Sequence, residues 1–167
     1  MSYPVVVVLT ASELCREYEH AEQIVFSAEE MHRTPNFGFK SRAERISATF
    51  VGRLGELALA KYLNVDYRYE DYDRNAYDVD GGYEVRTRRR AHYDLFTYDT
   101  DKPAVYVLAT VSTDYVIRLR GWITLEEANV PEHWTDRHGL KPCYLTPQHE
   151  LHNMTTIPRQ ETRHHAL

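Results

Sequence analysis

The sequence predicts an α/β protein with a mixed β-sheet of four to five strands flanked by helices. Two capping-box motifs, at Thr10 and Ser41, each open a segment of helical periodicity. The apolar run AVYVLATV at 104–111 suits a strand buried on both faces. Between these segments, Asp80-Gly81-Gly82 predicts the turn of a hairpin, because Asp-Gly and Gly-Gly pairs supply the positive φ angles that such turns need.

Composition limits the classes of protein to consider. A chain of 167 residues with 43% hydrophobic and 27% charged residues is ordinary for one soluble globular domain. Twenty Lys and Arg against 25 Asp and Glu give a net charge of −5, so a nucleic-acid partner would need a local basic patch. The apolar run at 4–9 is too short for a membrane span, and no membrane partner is predicted. Two distant cysteines, Cys15 and Cys143, favour a reducing cytoplasm.

The elements follow one another in a simple order. Helices are expected from Thr10 to about residue 33, from Ser41 to about residue 63, and briefly after Thr124, where Glu127 completes a third capping box. Strands are expected at 4–9 (buried), 65–70, 77–79, 83–88, 92–98, 104–111 and 115–123. From residue 130 onward, four prolines and scattered histidines indicate an irregular extension packed on the domain. The single domain of residues 1–167 therefore divides into an N-terminal part (1–40), a core (41–128) and a C-terminal extension (129–167).

The long second helix carries two glycines in its interior, Gly52 and Gly55. Each costs roughly 1 kcal/mol relative to alanine, so they call for a structural reason. A face of small residues would let this helix approach the sheet closely and would point Glu56 towards it. The alternative is a solvated glutamate beside tolerated glycines.

The segment YDVDGGYEVRTRRR at 77–90 gathers charge on one sheet face. Because side chains alternate along a strand, Glu84, Arg86 and Arg88 share one face, while Tyr83, Val85 and Thr87 share the other. The incoming strand brings Asp78 close to the first group. This pattern predicts either a functional site or a surface salt-bridge ladder.

A helix with an inward-facing Glu56, then Tyr77-Asp78-Val79, then Glu84-Val85-Arg86 resembles the PD-(D/E)XK nuclease superfamily. The later AVYVLATV and DYVIRLRGWI strands and the Thr124 helix are similar to the continuation in its small stand-alone members. The resemblance covers residues 41 to 128 and implies a restriction-endonuclease-like core. It also implies a metal-dependent deoxyribonuclease that binds DNA, with a homodimer as the expected assembly.

The chemistry of phosphodiester hydrolysis agrees with these residues, because Mg²⁺ or Mn²⁺ prefers oxygen ligands. Asp78, Glu84 and the Val85 carbonyl are the expected ligands, and Glu56 would hold a metal-bound water or a second ion. By the resemblance, position 86 carries the catalytic cation, usually lysine and here Arg86. Arginine cannot act as a general base but can stabilise transition-state charge. The alternative is a catalytically weak or inactive module that keeps the fold and binds nucleic acid or a protein partner.

Basic residues beside this motif form the one concentrated patch. Arg88, Arg89 and Arg90 are expected to contact DNA phosphates, and Arg53 on the long helix would extend the groove. Their other interpretation is a solvated strand end. Cys143, His149 and His152 are zinc-ligand types without the close spacing of a structural zinc site, so packing roles are favoured.

Overall fold

The computed structural model describes residues 3–31, 41–67, 76–137 and 140–159. Its helices are α1 (Ala11–Glu30), α2 (Arg42–Leu63) and α3 (Leu125–Ala128). Its strands are β1 (Val5–Val7), β2 (Tyr83–Arg88), β3 (Leu95–Thr97), β4 (Val105–Val111), β5 (Ile117–Thr124), β6 (Trp134–Thr135) and β7 (Cys143–Thr146). Short 3₁₀ turns occupy Pro131–His133, Gln148–Glu150 and Met154–Thr156.

The main sheet has four strands in the order β1-β5-β4-β2. Strand β2 runs parallel to β4, whereas β4–β5 and β5–β1 are antiparallel, so the sheet is mixed. The α/β class and the mixed sheet flanked by helices are therefore confirmed. Among the described residues, no helix has the length and apolar character needed to cross a membrane.

Side-chain oxygens cap the helices where the sequence predicts. Thr10 and Thr124 each form a complete capping box, with Glu13 and Glu127 respectively. The Ser41 hydroxyl accepts a hydrogen bond from the Glu44 backbone N–H at the start of α2. Helix α2 ends at Asn64, whose left-handed conformation (φ 56°, ψ 47°) satisfies the last carbonyls of the helix.

Helix α2 packs closely on β2 at Gly55. A Cβ atom at this position would lie 2.0 Å from Thr87 Oγ1, which real structures do not tolerate. The Thr87 hydroxyl also donates a hydrogen bond to the Gly52 carbonyl at 3.4 Å. The predicted close approach of helix and sheet is thus confirmed. Gly55 leaves the space that the Thr87 side chain fills, and the Gly52 carbonyl accepts the Thr87 hydrogen bond.

The main sheet has a different environment on each face. Helices α1 and α2 cover one face, and the buried core there includes Leu54, Val85, Val107 and Leu119. A smaller cluster, which includes Leu95, Tyr106, Leu108 and Ile123, forms on the opposite face. Residues Glu84, Arg86 and Arg88 pair in register with Tyr106, Leu108 and Thr110, so they belong to that opposite face. The predicted alternation along β2 is confirmed.

The structure departs from the predicted strands at the start of the chain and, as far as it is described, after α2. The first strand is an edge strand rather than a buried one, with Val6 53% and Val8 69% exposed. Residues 65–67 form no strand, and the rest of the predicted strand 65–70 lies outside the described residues.

The C-terminal segment is more regular than predicted. Strands β6 and β7 join β3 in a second, antiparallel sheet in the order β3-β7-β6. The boundary at residue 128 therefore does not separate two structural units, because β3 lies before it and β7 after it. Likewise, residues 1–40 contribute β1 to the main sheet.

Candidate functional site

The hairpin before β2 brings two carboxyl groups together. Val79 forms an antiparallel bridge with Tyr83, and the turn between them is made by Gly81 (φ 107°) and Gly82 (φ 86°). Asp78 Oδ2 accepts a hydrogen bond from the Val85 backbone N–H at 2.8 Å, which fixes the aspartate at the free edge of β2. There its carboxyl group lies within hydrogen-bonding reach of Glu84.

Electrostatics at this edge disfavour the ionised carboxylates. Burial raises the pKa of Asp78, and burial together with the charge of Asp78 raises the pKa of Glu84. On α2, burial and then the Asp78 charge raise the pKa of Glu56 to about 8, although Tyr67 donates a hydrogen bond to Glu56 Oε2 at 3.0 Å. The positive charge near Asp78, Glu84 and Glu56 is therefore too small for all three carboxyl groups to be ionised at once.

Lys102 supplies the nearest ammonium group. Its Nζ lies 2.9 Å from Glu84 Oε1 and 4.7 Å from the centre of the Tyr77 ring. The contact is ionic, because the buried Glu84 Oε1 accepts no hydrogen bond of good geometry. Lys102 precedes β4, and the Val105 N–H donates to the Gly82 carbonyl at 2.9 Å, which holds the start of β4 beside the hairpin.

Arg86 lies on the same sheet face as Glu84 but has different partners. Its Nη2 lies 2.8 Å from Asp101 Oδ2, and its guanidinium stacks on the rings of Phe96 and Tyr106 at 5.3 and 5.2 Å. Burial lowers the pKa of Arg86, but the Asp101 carboxylate outweighs this and the pKa is raised. The guanidinium is therefore a fixed, permanently charged group.

The oxygen donors at the β2 edge suit a hard divalent cation. The N–H and C=O of one residue point to the same edge of a strand, so the Val85 carbonyl faces the edge where its N–H binds Asp78. Two carboxylates and a carbonyl are ligand types that Mg²⁺ accepts, with waters or substrate oxygens completing the shell. Glu84 Oε1 already contacts Lys102 Nζ at 2.9 Å, so a cation bound there would share this carboxylate with the ammonium group or displace it.

Glu56 does not complete a three-residue ligand group. In the described ranges, no group of three or more His, Cys, Asp or Glu side chains is arranged to hold a metal ion. The charge of Asp78 acts on Glu56, whose carboxyl group accepts a hydrogen bond from Tyr67. The structure gives no support to a zinc site at Cys143, His149 and His152, since His152 Nε2 lies 2.8 Å from Glu127 Oε1 and its ring packs on Trp122.

The predicted phosphate-binding arginines divide into two groups. Arg53 is buried, with its Nε 2.8 Å from Oε2 of the fully buried Glu17, so the predicted role for Arg53 on a groove surface is wrong. Arg88 stacks on the rings of Tyr93 and Phe96 at the end of β2, whereas Arg89 and Arg90 are exposed. These three remain accessible to a ligand.

Two charged partners of the site were not predicted from the sequence, namely Lys102 and Asp101. Both lie in the turn between β3 and β4, and the signal that identifies them is the parallel pairing of β2 with β4. That pairing places the turn beside Glu84 and Arg86. No family model, curated protein or solved structure matches this chain. Residue chemistry and geometry therefore have to carry any functional proposal.

Proposed function

We propose that the protein is a metal-dependent nuclease that hydrolyses DNA phosphodiester bonds, built on a restriction-endonuclease-like core. The observation that carries the proposal is the contact between the Asp78 and Glu84 carboxyl groups at the free edge of β2, beside the Val85 carbonyl. Carboxyl groups in such contact, with raised pKa values, are stabilised when a cation joins them.

Asp78, Glu84 and the Val85 carbonyl would hold Mg²⁺ or Mn²⁺. When bound, such an ion supplies charge stabilisation for the phosphoryl oxygens and lowers the pKa of its water. Lys102 favours the ionised form of Glu84, since its ammonium lowers the pKa of this carboxyl against the larger effect of burial. Arg86, fixed by Asp101, provides a permanent positive charge on the same sheet face. Glu56 is protonated near neutral pH and would act as a proton donor or water-holder rather than as a ligand.

The test is cleavage of labelled single-stranded and duplex DNA with Mg²⁺ or Mn²⁺. We expect Glu84→Gln to lower the rate at least about 100-fold, because several kcal/mol of charge stabilisation are lost with the ligand. Glu126→Gln removes an exposed carboxylate on α3 and serves as the matched control. Cleavage by wild type that persists at full rate in Glu84→Gln would contradict the proposed site.

One observation favours the alternative of a non-catalytic DNA-binding module. Lys102 already neutralises Glu84, and Arg86 is paired with Asp101, so the site is partly balanced by its own cations. A module of this kind would bind DNA equally well with a chelator or with Mg²⁺, would depend on Arg88–Arg90, and would cut no substrate.

We also propose a cytoplasmic compartment, which the two free cysteines, Cys15 and Cys143, support. DNA is the partner required by the proposed chemistry. A homodimer stays an expectation from the resemblance and is tested by the mass of the protein in solution.

A further inference from the structure

A second group of basic side chains lies on the sheet face that carries Glu84. Thr110 of β4 pairs in register with Arg88 of β2 on one side and with Arg118 of β5 on the other. An irregularity in the β4–β5 pairing leaves Arg120 beside them, and Arg120 Nε donates to Thr110 Oγ1 at 2.9 Å. Arg88 and Arg118 thus flank Thr110 in the sheet, and Arg120 binds its hydroxyl group. We call Arg88, Arg118, Arg120 and Thr110 the arginine cluster.

The cluster has no close carboxylate partner among the described residues, although the charges of Asp94 and Asp114 act on Arg88 and Arg118 from further away. Within the described part of the chain, no carboxylate forms an ion pair with any of its three arginines. Asp114, the acid nearest in sequence to Arg118, is held by the Ser112 hydroxyl. Arg88 donates only to a carbonyl, that of Asp94, at 3.2 Å.

The neighbouring charges make the cluster electrostatically unfavourable when it is empty. Burial lowers the pKa of Arg88, and burial followed by the charge of Arg118 lowers the pKa of Arg120. Three neighbouring arginines without an ion-pair partner in the described part of the chain are also unexpected in a protein whose net charge is −5. A bound anion would relieve the repulsion, and the planar guanidinium groups suit phosphate oxygens.

We propose that the arginine cluster is a phosphate-binding site that holds the backbone of the DNA substrate away from the point of cleavage. The inference rests on the proposed function. It adds Arg118 and Arg120 to the binding surface, which the sequence placed only at Arg88–Arg90, and gives the buried Thr110 the role of holding Arg120 in place.

An extended backbone fits this arrangement better than a small free anion. Arg88 lies four positions after Glu84 on β2, which corresponds to about 13 Å along the strand. The cluster then continues across β4 to β5, so the positive charge forms a track on one face that begins at the carboxylates. A polyanion that follows this track contacts both sites at once.

The experiment measures binding of a labelled 20-base-pair duplex to the full chain as a function of salt, with a chelator present so that the DNA stays intact. Each phosphate contact adds about 0.9 to the slope of log K against log salt concentration. We expect the double variant Arg118→Gln/Arg120→Gln to lose about 1.8 from this slope and roughly tenfold in affinity at low salt. Arg118→Gln alone, which leaves the Arg120–Thr110 hydrogen bond in place, should lose about 0.9.

Arg16→Gln is the control, because Arg16 is exposed on α1, on the side of the sheet covered by helices. Its slope should equal that of wild type. An unchanged slope in both Arg118 variants, or no DNA binding by wild type, would overturn the inference. Cleavage is scored separately with Mg²⁺. A smaller slope in the Arg118 variants without any cleavage by wild type would support the phosphate-binding site and refute the nuclease. Cleavage that depends on Glu84, with an unchanged slope in the Arg118 variants, would support the nuclease and refute the phosphate-binding site.

Discussion

At the scale of single residues, the ionisation of Glu84 is decided by a balance between burial and one ammonium group. Burial and the neighbouring Asp78 raise the pKa of Glu84, and Lys102 at 2.9 Å is the strongest influence that lowers it. Because Glu84 is largely buried, water screens this ion pair less than it would a surface pair. Lys102 is therefore a positioning residue that favours the charged form of the proposed ligand.

Substitution Lys102→Ala should raise the pKa of Glu84 further, because the carboxylate loses its closest positive charge while it stays buried. The measurement is the ¹³C chemical shift of the Glu84 carboxyl carbon during a pH titration. Lys102→Arg should restore most of the wild-type titration. Lys141→Ala removes another lysine that lies over an aromatic ring, that of Tyr98, and should leave Glu84 unchanged. An identical Glu84 titration in wild type and Lys102→Ala would refute the assigned role.

The sequence predicted the residues of the site on β2 but not their charged partners. Strand alternation is a local property, so Glu84, Arg86 and Arg88 could be placed on one face from their spacing alone. Lys102 and Asp101 act through the parallel pairing of two strands that are separated by β3, and no local pattern encodes that pairing. The burial of Arg53 depends on Glu17, which lies on another helix.

At the scale of elements, the distance between α2 and β2 depends on the absence of a side chain at one position. The Thr87 side chain occupies the space that a Cβ of residue 55 would need. This contact sets how near α2, and with it Glu56, lies to the hairpin that carries Asp78. The packing of one helix on one strand thus controls the geometry of the proposed site.

Gly55→Ala should destabilise the protein by about 1–3 kcal/mol, because an overpacked interface forces backbone or side-chain shifts. The free energy of unfolding, measured with urea, tests this. Gly52→Ala is the matched control: no atom lies within 4 Å of a Cβ there, so the higher helix propensity of alanine should stabilise by up to about 1 kcal/mol. Equal effects of the two substitutions would show that the close approach at Gly55 contributes nothing specific.

Elements with strong local signals were predicted well, and those that depend on distant pairing were not. Caps and periodicity located α1, α2 and α3, since capping is decided within a few residues. Strands β6 and β7 contain two and four residues and are stabilised by pairing with each other and with β3, about 50 residues earlier in the chain. Strand β1 lies in a run of five consecutive apolar residues at 5–9, and such a run does not indicate an edge position.

At the scale of the whole molecule, the three carboxyl groups link folding to protonation. Glu56 has a pKa of about 8 in the folded protein against an ordinary value of 4.5, and Asp78 and Glu84 shift in the same direction. Between these values the folded state binds more protons than the unfolded state, so the free energy of unfolding falls as the pH rises. One such group contributes a slope of at most about 1.4 kcal/mol per pH unit.

We expect the melting temperature to fall between pH 5 and pH 8, and the fall to be smaller in Glu56→Gln, because glutamine has no proton to lose and can still accept from Tyr67. His133 also has a raised pKa, since its contacts with the Ala128 carbonyl and Glu150 outweigh burial, and its stabilisation is likewise lost as the pH rises. Because His133 is present in both proteins, its contribution cancels when the melting temperature of Glu56→Gln is subtracted from that of wild type at each pH. Carboxyl groups with lowered pKa values, such as Glu13 and Glu127, lose their contribution only at more acidic pH.

Glu126→Gln is the control, and its melting curve should follow that of wild type at every pH. A divalent cation that binds only the folded protein would stabilise it by mass action, and most strongly near pH 8, where fewer protons compete for the carboxylates. Mg²⁺ should therefore raise the melting temperature of wild type more at pH 8 than at pH 5, and should have little effect in Asp78→Asn. Parallel wild-type and Glu56→Gln profiles would show that Glu56 ionises normally in the folded state and that the buried edge of β2 carries no excess negative charge.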